Sequence, residues 1–216
     1  MAQLLEFQSL KHGRSHAKSR REKAKWCFPP SGRLKLNIDG AYKEDGSGGV
    51  GMIIRDAVGD VKCAWSKKLG FLSSPLHVEA DACRLGLRMA TQHGWQNLEV
   101  ESDCAILVPA LNNQGSDMVE VSRILEDCRD FMHRFDYVTV QHVFREANSV
   151  AHRLAHFATC DRVVEVTLAE VPDFIQDVLY ENNCNALNVT RGRGYMSPSM
   201  AQNSININNG QGAEPS

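Results

Sequence analysis

The order of the hydrophobic periods constrains this chain most. Between residues 33 and 69 it reads as three strands in hairpin succession, near 33–41, 48–56 and 59–69. From residue 75 helical periods alternate with short strands: a helix at 75–93, a strand at 96–102, a short helix at 104–112, a longer one at about 117–134, a strand at 136–143 and a helix at 148–159. Hairpins make antiparallel neighbours and strand–helix–strand returns make parallel ones, so this order predicts a mixed α/β sheet covered by helices.

The first strand also introduces the first chemically informative residue. In Leu34 to Ala41, Leu34, Leu36 and Ile38 alternate with Lys35, Asn37 and Asp39, which reads as a strand with one face buried. Asp39-Gly40 could itself be a turn, because Asp-Gly is a strong turn dipeptide. A better turn follows at Glu44-Asp45-Gly46-Ser47-Gly48-Gly49, before the next strand-like run, Val50 to Arg55, which leaves Asp39 within the first strand or at its end.

Two further acids fall at comparable places. Pro75 opens a helical stripe of Leu76, Ala80, Cys83, Leu87 and Ala90, and Gly94 suits its end. Glu79 lies three residues from Leu76 and four from Cys83 and so borders that stripe, while Asp81 reads as solvated near the helix N-terminus. Asp103 closes the alternating run Asn97 to Ser102 ahead of helix-like Ala105 to Leu111. Taken singly, Glu79 could be a boundary residue and Asp103 a helix N-cap. Brought together on one sheet edge, three carboxylates repel unless cations neutralise them.

Four segments carry a resemblance. Leu36-Asn37-Ile38-Asp39-Gly40-Ala41, Val78-Glu79-Ala80-Asp81-Ala82, Glu101-Ser102-Asp103 and Val143 to Ala155 resemble the ribonuclease H-like domain of plant non-LTR retrotransposons and their domesticated descendants. Trp26, Pro29 and Pro30 are similar to the family's entry segment, and the match runs in order from about Trp26 to Ala158. The resemblance implies a five-stranded mixed sheet of order 3-2-1-4-5 flanked by helices, with Asp39 on the central strand and Asp103 on its neighbour.

The resemblance also implies a reaction. Two Mg²⁺ ions roughly 4 Å apart would share Asp39, with Glu79 and Asp103 completing the ion on the leaving-group side. The family's fourth acid is His152 here, in Arg145-Glu146-Ala147-Asn148-Ser149-Val150-Ala151-His152. As a ligand, an imidazole would remove one negative charge and favour Mn²⁺ over Mg²⁺. The implied activity is endonucleolytic hydrolysis of the RNA strand of RNA/DNA hybrids, with Gly40, Arg145 and Asn148 at the nucleic acid. Recognition would run through the 2′ hydroxyl and not the base edges. The alternative is a weak or inactive module of the same fold that binds nucleic acid or a protein. The basic helix-and-loop protrusion of bacterial-type relatives is missing, since Gln114-Gly115-Ser116-Asp117 joins the helices directly.

Composition fits one domain with tails. Of 216 residues 43% are hydrophobic and 23% charged, enough for a single core, and no run is apolar enough to span a membrane. Seven cysteines without Cys-x-x-Cys spacing read as reduced intracellular thiols. The expected divisions are a basic, disordered arm at 1–31, the ribonuclease H-like domain at 32–160, an acidic extension at 161–181 and a disordered Asn- and Ser-rich tail at 182–216. The arm holds Lys11, Arg14, Lys18, Arg20, Arg21, Lys23 and Lys25 against Glu6 and Glu22, a cluster suited to nucleic-acid phosphate or to nuclear import. Residence in nucleus or cytoplasm stays open.

Overall fold

The computed structural model describes residues 25–112, 119–160, 165–168 and 171–192. Most of the basic arm, the Gln114–Asp117 joint and the tail from 193 lie outside the described residues. Strands β1 (Leu34–Tyr42), β2 (Gly48–Arg55) and β3 (Val61–Leu69) precede helix α1 (Pro75–Gln92), and β4 (Asn97–Ser102) follows. Then come α2 (Leu107–Asn112), α3 (Ser122–Met132), β5 (Tyr137–His142), α4 (Ser149–Ala158), β6 (Glu165–Leu168) and α5 (Asp173–Gly192).

The sheet order is β5-β4-β1-β2-β3-β6. β1 pairs antiparallel with β2 and parallel with β4, β2 antiparallel with β3, and β4 parallel with β5. The expected order 3-2-1-4-5 is therefore present, and β6 extends it by pairing with Ala64 to Lys67 of β3.

Helices cover both faces. Against one, α1 and α3 enclose a core that includes Leu36, Ile38, Val50, Met52, Val100, Leu87 and Leu125. Each such side chain, removed from water, contributes about 1.5–3 kcal/mol. α1 starts where Ser74, in extended conformation, accepts a hydrogen bond from His77 N, and Pro75 fills the first turn. On the other face α4 packs onto β2 and α5 onto α4, with Ile53, Leu154, Ile175 and Val178 between them. A Cβ on Gly51 would lie 2.2 Å from Ala155 N and 2.5 Å from Ala151 O, so only glycine lets α4 sit this low. That seating carries His152 to the end of β1.

The structure corrects four sequence readings. β1 is buried on both faces: Lys35, Asn37 and Asp39, expected toward solvent, are at most 4% exposed. Their polar row faces α4 and the entry segment. Asp81 is also buried, paired with Arg84 at 2.6 Å and with His77 at 3.5 Å. The folded unit begins before residue 32, because Trp26 is buried and donates Nε1–H to Asn37 Oδ1 at 3.0 Å. It continues past residue 182, since α5 runs to Gly192 with Asn182 and Ala186 buried and Ala186 packed beside Trp26. The Asn-rich composition hid this because only a narrow stripe of α5 faces the domain.

Candidate active site

Register brings the acids together. Ile38 of β1 pairs with Ser102 of the parallel β4, so the next residues, Asp39 and Asp103, emerge side by side where β4 ends and its pairing with β1 stops. In open α/β sheets that edge is where ligands bind. Glu79 reaches the same point from the second turn of α1, which approaches β1 at Gly40. A Cβ on Gly40 would meet Val78 C at 2.8 Å and Glu79 N at 2.9 Å.

One oxygen from each of Asp39, Glu79 and Asp103 falls within 4.8 Å of the others, a group able to hold a metal ion. The electrostatics fit that use. Burial, together with the Asp39 and Asp103 carboxylates, pushes Glu79 up to about 9, against the Gly40 N–H and the Arg145 cation. Asp39 is pushed up to about 6, chiefly by burial and by Asp103, against a hydrogen bond from His152. Glu79 Oε2 is buried without a hydrogen-bond partner. Three hard oxygen donors, mutually repelling and with one lone pair unanswered, are the donor set of a small divalent cation.

His152 stands beside this group, outside it. Its Nδ1 lies 2.9 Å from Asp39 Oδ2, and Arg145 Nη2 lies 2.9 Å from the ring nitrogens. A guanidinium only donates, so Arg145 approaches the ring as a donor, while Nδ1 is the ring atom that faces Asp39. His152 thus contacts Asp39 and Arg145 at the margin of the three-carboxylate group, and its role as a ligand remains a proposal.

Of the residues expected at nucleic acid, Arg145 is exposed at the rim and Gly40 half-buried beneath Glu79. Asn148 is fully buried and cannot reach a nucleic acid. Its amide donates to Ile38 O at 2.8 Å and to Asp103 Oδ1 at 2.9 Å, so it lies under the site as a support. Sequence reasoning missed His156, which meets the His152 ring edge-on at 4.3 Å and is held below the usual imidazole range by burial, His152 and Arg145. The four-residue spacing of the two histidines on one helix was its signal.

Comparisons with known proteins agree with this geometry. Residues 37–158 match the family described as reverse transcriptase-like. An Arabidopsis thaliana protein provisionally named a ribonuclease H protein is 29% identical over 169 residues, 78% of this chain and 27% of that protein. The chain thus spans little more than a quarter of that relative's length. Ribonuclease H1 of Halobacterium salinarum superposes with a TM-score of 0.55 at 23% identity, covering 58% of this chain and 96% of its own. A ribonuclease H1 isolated from compost, solved in complex with an RNA/DNA hybrid, gives 0.53 at 19% identity over 58% of this chain and 96% of its own. Identities this low speak to the fold alone, and the matched segment spans the three acids with the strands and helices that position them. The chain therefore belongs to the reverse transcriptase-like family, with a ribonuclease H-like domain of the plant retroelement type.

Proposed function

We propose that this protein is a retrotransposon-derived, metal-dependent endonuclease that hydrolyses the RNA strand of RNA/DNA hybrids. The observation that carries the reading is the convergence of Asp39, Glu79 and Asp103 with a buried, unpartnered carboxylate oxygen among them. These three residues would hold Mg²⁺, with Mn²⁺ as an alternative and two ions as the expected number. When bound, the metal supplies an activated water and charge stabilisation for the leaving 3′ oxygen, without a covalent enzyme intermediate.

The chain's own residues do the rest. Asp39 and Glu79 give up the protons that burial favours when a cation replaces them, so their raised affinity for protons becomes affinity for metal. His152 fixes the rotamer of Asp39 through Nδ1, and Arg145 holds His152 while presenting a cation at the rim for a phosphate. The basic arm adds phosphate contacts in place of the missing protrusion.

A second reading, a binding module without catalysis, is favoured by one observation: His152, at the position where the family resemblance implies a fourth acid, is engaged by Asp39 and Arg145. Cleavage of a labelled RNA/DNA hybrid by the full chain, in Mg²⁺ and Mn²⁺ separately with Asp39→Asn as the blank, decides between them. RNA-strand cutting that Asp39→Asn abolishes supports the nuclease. Binding of the hybrid by folded protein without cutting in either metal supports the module. His152→Asp then tests the fourth position: a gain in Mg²⁺-dependent cutting means that a carboxylate there ligates, and no gain leaves His152 as the support of Asp39.

A further inference from the structure

Beneath the carboxylates lies a second polar cluster with a fixed donor–acceptor order. Asn37 Oδ1 accepts from Trp26 Nε1 at 3.0 Å and from Arg55 Nη2 at 2.8 Å. The guanidinium of Arg55 lies 3.6 Å over the Trp26 ring, and its Nη1 donates to Asn182 Oδ1 of α5 at 3.2 Å. Trp26, Asn37, Arg55, Asn148 and Asn182 are all buried.

Indole and guanidinium groups donate and never accept, so they dictate which way the Asn37 amide faces. With Oδ1 held by both donors, Asn37 Nδ2 must point to the other side, where it meets Glu101 Oε2 at 2.8 Å and Asn148 Oδ1 at 3.3 Å. Asn148 Oδ1 is thereby an acceptor, and Nδ2 of Asn148 is committed to Ile38 O and Asp103 Oδ1. A flipped Asn37 would set its oxygen against the Glu101 carboxylate and the Asn148 carbonyl. Two residues that never touch the site thus fix the polarity of an amide that does.

We infer that Trp26, Arg55 and Asn182 are positioning residues for the carboxylate site, acting through Asn37 and Asn148 to present an amide N–H to Asp103. Trp26 and Asn182 lie outside the family-matched residues 37–158, so the unit that orients the site runs from the entry segment to α5. The inference rests on the reading of Asp103 as a metal-holding acid.

The test uses the full chain, ¹⁵N-labelled and metal-free, with two readouts: the side-chain amide NMR signals of Asn37 and Asn148, and the Kd for Mn²⁺ from the electron paramagnetic resonance of the free ion. Trp26→Phe keeps the ring under Arg55 and deletes the N–H. Asn182→Leu deletes the other anchor of the guanidinium. Combined, they are expected to shift both amide signals and weaken Mn²⁺ binding about five- to tenfold, the worth of one ordinary hydrogen bond. Val178→Ala, on the same helix but off the relay, is expected to lower the Tm and leave the Kd within about twofold, a difference too small to count as a hydrogen bond.

A folded double variant with unmoved amide signals, or with a Kd within about twofold of the parent, overturns the relay. If the double variant does not fold, Trp26→Phe alone is judged by the same two readouts. Failure of the metal reading looks different: the unaltered chain binds no Mn²⁺, or its binding survives Asp39→Asn, and the inference then falls with that reading before any relay variant is made.

Discussion

The polar row of β1, Lys35 to Asp39, carries residues of similar type in opposite states at its two ends. At the Lys35–Asn37 end charges are balanced: Lys35 Nζ meets Glu101 Oε1 at 2.7 Å and Cys27 O at 2.9 Å, and Arg55 answers Asn37 and Asn182. Only Arg55 Nε, against the Trp26 ring, lacks a hydrogen-bond acceptor there. At the Asp39 end three acids face one another and a buried carboxylate oxygen has no donor. The first end meets all but one of its polar atoms and so contributes to the fold. The second is an arrangement the fold tolerates at a cost, and such costs concentrate where a ligand repays them.

If that contrast is right, removing charge at the two ends has opposite consequences. Asp39→Asn is expected to lower hybrid cleavage on the order of a thousandfold, since the lost metal anchor accounts for several kcal/mol of transition-state stabilisation. Its metal-free Tm should equal or exceed the parent's. Arg55→Met should do the reverse to the fold, destabilising it by about 2–4 kcal/mol because it takes a buried donor from both Asn37 and Asn182. Urea denaturation of both variants at neutral pH checks the pair. An Arg55→Met protein as stable as its parent would erase the distinction between the two ends.

The acid end also predicts a sign with pH. Glu79 is raised from 4.5 to about 9 and Asp39 from 3.8 to about 6, so in both the folded chain holds its proton where the unfolded chain has lost it. Between the unfolded and folded values the folded state binds more protons, and stability falls as pH rises. In EDTA the loss should begin near pH 4 with Asp39, steepen as Glu79 joins, ease past about 6 once Asp39 has titrated, and continue toward 9 through Glu79. Glu79→Gln removes the larger share and should raise metal-free stability at pH 8 by about 1–3 kcal/mol, read as a Tm increase of several degrees. Excess Mn²⁺ should cancel this advantage, because only the parent gains by binding it.

Much of the acid end was legible in the chain, and little of the balanced end. Asp39 and Asp103 follow from period-two runs and Glu79 from a helical stripe, because strand and helix periods place side chains regardless of what covers them. The topology was legible for the same reason, since connection lengths decide which strands return parallel. Arg55 reads only as the last residue of a strand, and its burial depends on Trp26 and α5, distant in sequence. Asn148 sits inside the motif it was assigned to, yet its role changed once α4 was seen lying low on Gly51, which closes the asparagine off from solvent. In α5, Ile175, Val178, Leu179, Asn182 and Ala186 keep a spacing of one to four residues on one face, but the polar, Asn-rich run from Asn182 made its second half read as a tail.

The smallest expected effect tests whether pairing or burial makes the balanced end strong. Two arginines sit over aromatic rings at almost the same distance, Arg55 at 3.6 Å from the Trp26 centroid and Arg33 at 3.7 Å from that of Tyr137. Arg33 even has a direct ion pair, with Glu99 at 3.2 Å, yet its side chain is 35% exposed whereas Arg55 is fully buried. Solvent and salt screen the Arg33 contacts, and its partners can turn to water when it is removed. Arg33→Met should therefore cost about 0.5–1 kcal/mol, and less at high salt. Geometry alone would give the two substitutions similar costs. A ratio of several to one between Arg55→Met and Arg33→Met, measured in the same denaturant series, places the difference in desolvated partners left behind, the same physics that leaves Glu79 waiting for a cation.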